Sequence, residues 1–63
     1  MWTVIYMAQT KDSVLKVQEM LTAASLAVRV RPMGEGADDG FFEILVPETE
    51  AQLALTILIK NGY

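Results

Sequence analysis

The spacing of hydrophobic positions changes along this chain, and each change marks an element. Trp2 to Ala8 is rich in β-branched and aromatic residues, which suit a strand in a largely covered sheet. Thr10 is placed to cap a helix, with Asp12 in the first turn, where the dipole favours an acid. From Lys11 to about Ala24, the apolar residues Val14, Val17, Leu21 and Ala24 recur at three- and four-residue spacing, bordered by Leu15 and Met20. That is an amphipathic helix packed on one side. Val28, Val30 and Pro32 then alternate with Arg29, Arg31 and Met33, the period of a half-buried strand. Pro32 cannot donate to a ladder, so it belongs on an edge or at a strand end. Gly34 to Gly40 combines three glycines with three acids and reads as a mobile hairpin loop. Phe41 to Val46 is the most regular strand, with Phe42, Ile44 and Val46 on one face and Phe41, Glu43 and Leu45 on the other. Pro47 ends it. Pro47 to Glu50 opens a second helix, with Thr49 and Gln52 spaced as a capping box. Ala51, Ala54, Leu55 and Leu58 form its stripe, and Asn61-Gly62 closes it.

The element order is therefore β-α-β-β-α. Crossover handedness and the tight second-to-third connection give a three-stranded antiparallel sheet in spatial order 1-3-2, with the Phe41–Val46 strand central. Both helices are expected on one face. The fold class is α+β, a truncated ferredoxin-like unit forming a single domain over 1–63. The pattern stops at Asn61-Gly62-Tyr63, where the fourth strand of a β-α-β-β-α-β unit would begin. The expected consequence is a first strand with an unpaired outer edge and a sheet with one uncovered face. The core is expected to hold Val14, Leu21, Val28, Val30, Phe42, Ile44, Val46, Ala54, Leu55 and Leu58.

Composition narrows the functional classes. Hydrophobic residues make up 52% of 63 positions, which excludes a disordered segment and allows one domain. A core this small rarely nets more than about 3–5 kcal/mol without a staple. Cysteine and histidine are both absent, so disulfides and thiolate or imidazole metal sites are excluded. Association is the remaining staple, and a homodimer is the expectation. A net charge of −3, with five Lys and Arg against eight Asp and Glu, opposes nucleic-acid binding. No run approaches the roughly 20 apolar residues of a membrane span. The first residues carry no basic segment of a signal peptide, so the expected location is the cytoplasm.

Trp2-Thr3-Val4-Ile5-Tyr6, Val28-Arg29-Val30-Arg31-Pro32 and Phe42-Glu43-Ile44-Leu45-Val46-Pro47-Glu48 together resemble a group of very small bacterial proteins. They are similar to the signal-transducing-domain family, a half ferredoxin-like fold distantly similar to the PII nitrogen-signalling proteins. The resemblance covers nearly the whole chain, and its motifs are structural rather than catalytic. It implies a cytoplasmic bacterial module with a regulatory role. The chain departs from that pattern at Ala24-Ser25-Leu26, where such proteins often place glycine after the first helix. Similar short chains are sometimes labelled glutamate decarboxylase. A pyridoxal-phosphate enzyme needs a lysine in an enclosed pocket with partners for phosphate and pyridinium, which 63 residues can scarcely build.

Candidate chemistry is sparse. Glu35, Asp38 and Asp39 offer oxygen ligands for a hard cation, but their spacing matches no EF-hand loop, and a solvated turn is the simpler reading. The same acids would repel a phosphate from the loop's glycines. Glu48 and Glu50 suit the positive end of a helix dipole without any catalytic role. No Ser or Thr has a histidine to activate it, so no enzyme, cofactor or metal is expected. The uncovered sheet face is the better candidate. Trp2, Tyr6, Arg29, Arg31, Phe41, Glu43 and Leu45 are expected to form an interaction surface there, with Arg29 and Arg31 paired to Glu43 across strands. The first strand adds either Trp2, Val4 and Tyr6 or Thr3, Ile5 and Met7, and the first parity is favoured because amphipathic aromatics suit interfaces. An aromatic sheet face also suits single-stranded RNA, against which the acidic balance counts. The function expected is a protein-interaction or regulatory module. The alternative is a sensor for a small anionic metabolite held between protomers near Arg29 and Arg31.

Overall fold

The computed structural model describes residues 1–33 and 41–63. The elements are β1 (Trp2–Ala8), α1 (Lys11–Ala23), β2 (Arg29–Met33), β3 (Phe41–Pro47) and, after a 3-10 turn at Glu48–Glu50, α2 (Ala51–Lys60). The sheet runs β1-β3-β2, with β3 antiparallel to both neighbours, as the hydrophobic pattern predicts. The Gly34–Gly40 loop, with Glu35, Asp38 and Asp39, lies outside the described residues.

One face of the sheet carries the core. Ala8, Ile44 and Val46 pack with Val14, Val17 and Leu21 of α1, Leu26, and Ala54 and Leu58 of α2. Ile5, Tyr6, Val28, Val30 and Phe42 border this cluster, so both helices cover the same face. Leu55 is a correction to the expected core: it is 43% exposed, because it lies one residue past Ala54, on the helix flank. Val17, Leu26 and Ala8 are additions, Val17 from the apolar stripe of α1 already recognised. Leu26 is the first residue after the α1 turn, a place that no helical or strand period marks.

The helix ends follow backbone chemistry closely. Thr10 caps α1 by accepting from the Ser13 N–H at 3.1 Å. At the other end, the Leu26 N–H donates to the Leu21 carbonyl (3.0 Å) and the Ser25 N–H to that of Thr22 (2.9 Å). These two bonds form a Schellman motif, in which the residue past the cap turns left-handed. That residue is Ser25, with φ of 65°. Leu26 then folds back on Leu21 inside the core. The second helix ends the same way, with Tyr63 donating to Leu58 (2.8 Å), Gly62 to Ile59 (3.1 Å), and Gly62 at φ 84°. Its start differs from expectation. Thr49 and Gln52 form no capping box: the chain makes a 3-10 turn first, and Glu50, the cap residue, makes no side-chain capping bond. Instead, the Glu50 carboxylate accepts from the Ala27 N–H at 3.4 Å, tying the α2 start to the segment before β2.

Candidate functional site

The sheet face away from the helices is set by strand alternation, with one interruption. Arg29, Arg31 and Met33 on β2 stand opposite Leu45, Glu43 and Phe41 on β3. On β1, Val4 pairs with Leu45 but Tyr6 pairs with Ile44, so Ile5 is an extra residue without a partner, a β-bulge. The bulge resets the alternation. Trp2 and Val4 point to the open face before it, and Met7, opposite Glu43, points there after it. Tyr6 is therefore a correction. It sits opposite the buried Ile44, packs against the core, and meets the Tyr63 ring edge-on at 5.7 Å. Neither expected parity of β1 holds along the whole strand, because a bulge joins half of one to half of the other.

The charged groups also sort differently from a simple ladder. Arg31 donates from Nε to Glu43 Oε1 at 2.8 Å, and its Nη2 donates to the same oxygen. Arg29 forms no ion pair with Glu43. Its guanidinium lies over the Trp2 ring, 4.3 Å from the centroid, an arrangement worth about 0.5–1 kcal/mol at an exposed site. Trp2 and Arg29 sit on the two outer strands, roughly 9–10 Å apart across β3, so their contact bridges the central strand. This explains Leu45. It lies on the open face and outside the core cluster, yet is only 8% exposed, because the side chains of both neighbouring strands close over it.

Six of the seven expected surface residues thus share the open face: Trp2, Arg29, Arg31, Phe41, Glu43 and Leu45. They fall into two ends. At one, Trp2, Val4, Arg29, Val30, Arg31 and Leu45 line a shallow groove of about 510 Å³. At the other, Phe41 stands beside Met33 in register, and both are exposed. Val4 and Met7 complete the face, Val4 from the favoured parity of β1 and Met7 from the alternative. The signal for the Trp2–Arg29 bridge was present in the sequence: with strand order 1-3-2, an aromatic and an arginine on the two outer strands can reach each other over the centre.

Both sheet edges are blunted. The bulge at Ile5 distorts the outer edge of β1, and β2 carries Pro32 and two arginines on the other edge. Bulges, prolines and charges are devices that discourage strand addition. Among the described residues, no cluster of acids could hold a metal ion, and no helix is long and apolar enough to cross a membrane. Compared with known protein families, with curated proteins and with solved structures, the chain has no match.

Proposed function

We propose that this chain is a small cytoplasmic interaction or regulatory module, without catalysis of its own, which associates with a second copy through the open sheet face. One observation carries the reading. Trp2, Val4, Met7, Met33 and Phe41 are 37–53% exposed on a face that neither helix covers. Exposed apolar side chains gathered on one uncovered face, here in two groups either side of the Arg31–Glu43 pair, mark an interaction surface. The small core supports association as the missing staple, and the blunted edges favour face packing over strand addition. The resemblance of the three strand segments to the bacterial signal-transducing-domain family supports a regulatory role.

The test is sedimentation velocity at about 100 μM, a concentration at which a micromolar interface is largely occupied. The expected result is a dimer that Phe41→Glu converts to a monomer while the fold is retained. A wild-type monomer under those conditions would remove self-association and leave the face for a different protein.

A further inference from the structure

We infer that the Trp2 end of the open face binds a small amphipathic carboxylate: one carboxylate head with a short apolar tail. The inference rests on the open face being the working surface, and it adds a ligand class to one end of it.

The groove has the size and lining for such a ligand. Its volume of about 510 Å³ falls within the range of small-molecule sites. Val4 and Trp2 supply exposed apolar surface beside two guanidinium groups, with the largely covered Leu45 beneath. These groups are not equivalent. Arg31 is engaged by Glu43, whereas Arg29 has no carboxylate partner among the described residues. The Arg29 guanidinium lies over the Trp2 ring, 4.3 Å from its centroid, and Arg29 as a residue is exposed. Two parallel N–H groups of a guanidinium match the two oxygens of a carboxylate. Stacking on Trp2 also restrains the side chain in advance, which lowers the ordering cost of binding.

Charge narrows the class further. The groove lining holds two arginines and no acid, inside a chain of net charge −3. A long polyanion would run out of the groove over the acidic remainder and be repelled there at short range. A small anion seated at Arg29 is screened from charges more than a Debye length of about 8–10 Å away, and Glu43 is already neutralised by Arg31. Because Glu43 already holds Arg31, the site offers one free fork, which fits a monocarboxylate better than a dicarboxylate.

Trp2 is the only tryptophan in the chain, so its fluorescence reports on the groove directly. Octanoate is the probe, compared with octanol, octylamine, acetate and inorganic phosphate. Amide NMR shifts are followed in parallel, so that a silent indole does not hide binding. The expected result is a saturable change with octanoate, centred on Val4, Arg29 and Leu45, at least tenfold tighter than with any comparison compound. Arg29→Gln should weaken it about tenfold or more with the fold unchanged. Phe41→Glu, at the other end of the face, should bind octanoate as a monomer at least as tightly as the wild type, because no second copy then covers the groove, so loss of association and loss of ligand binding are read separately. Three results would overturn the inference: no amide shifts with octanoate at about 10 mM, equal affinity for octanol or phosphate, or unchanged affinity in Arg29→Gln.

Discussion

Ile44 and Leu45 are neighbours on the same strand, and both are buried, at 0% and 8% exposure, but for opposite reasons. Ile44 lies beneath two helices, in a cluster whose members also fill space for one another. Leu45 lies beneath a bridge of two long side chains, Trp2 and Arg29, that meet over the central strand. One face is closed by backbone elements and the other by a cation and an aromatic ring. Burial alone therefore does not identify a core. What matters is whether the covering groups are held by packing or only by each other.

The sharpest way to break this comparison is to truncate both residues. Ile44→Ala should cost about 2–5 kcal/mol in chemical denaturation, the range for deleting a large aliphatic from a packed core. Leu45→Ala should cost less, about 1–2 kcal/mol, because the Trp2 and Arg29 side chains can settle into the space left behind. Equal losses would mean that the open face is as rigid as the helix-covered one. The next pair tests the bulge. Tyr6→Ala should cost about 1–3 kcal/mol, since its ring is half-buried against the core. Met7→Ala, on the open face, should change stability by less than about 0.5 kcal/mol. A reversal of the two would place the alternation of β1 on the wrong phase.

The smallest expected effect is a gain. Ser25 occupies a left-handed position at φ 65°, where a side chain costs energy that glycine avoids. Ser25→Gly should raise stability by about 0.5–1 kcal/mol, read as a higher denaturation midpoint. It also sharpens the larger comparison, because a domain with only a few kcal/mol in hand needs that reserve to survive Ile44→Ala. A destabilised Ser25→Gly would mean that the serine side chain contributes something besides its backbone angle.

The helix-covered face was legible in the sequence because a single rule governs it. Periodic apolar positions point one way, and Val14, Leu21, Ile44, Val46, Ala54 and Leu58 are all buried there. The rule fails at its margins. Leu55 belongs to the apolar run but sits just off the stripe, and Leu26 enters the core through a turn rather than through a period. The open face was only partly legible. Its β2 and β3 residues follow from alternation, whereas β1 does not: Ile5 and Tyr6 are both apolar, and nothing in that pair marks which is the extra residue. The partner of Arg29 was within reach of the 1-3-2 order but overshadowed, because Glu43 is the obvious cross-strand acid and only the geometry gives it to Arg31. The end of the first helix was hidden in the sequence as well. A Schellman turn needs a left-handed residue, and serine does not announce one.

The bulge at Ile5 has a genetic consequence as well as a geometric one. Removing that single residue would let Val4 and Tyr6 follow one another in strict alternation, with Val4 still opposite Leu45 and Tyr6 still opposite Ile44. An in-frame loss of one codon would therefore preserve every inward and outward assignment, at the expense of the Ile5 contact with the core. What would change is the outer edge of β1, which would become straight and regular. Straight apolar edges recruit further strands. With Pro32 and two arginines still blunting the β2 edge, such pairing would stop at two copies joined β1 to β1. One superfluous codon therefore separates a guarded edge from a six-stranded sheet shared by a pair.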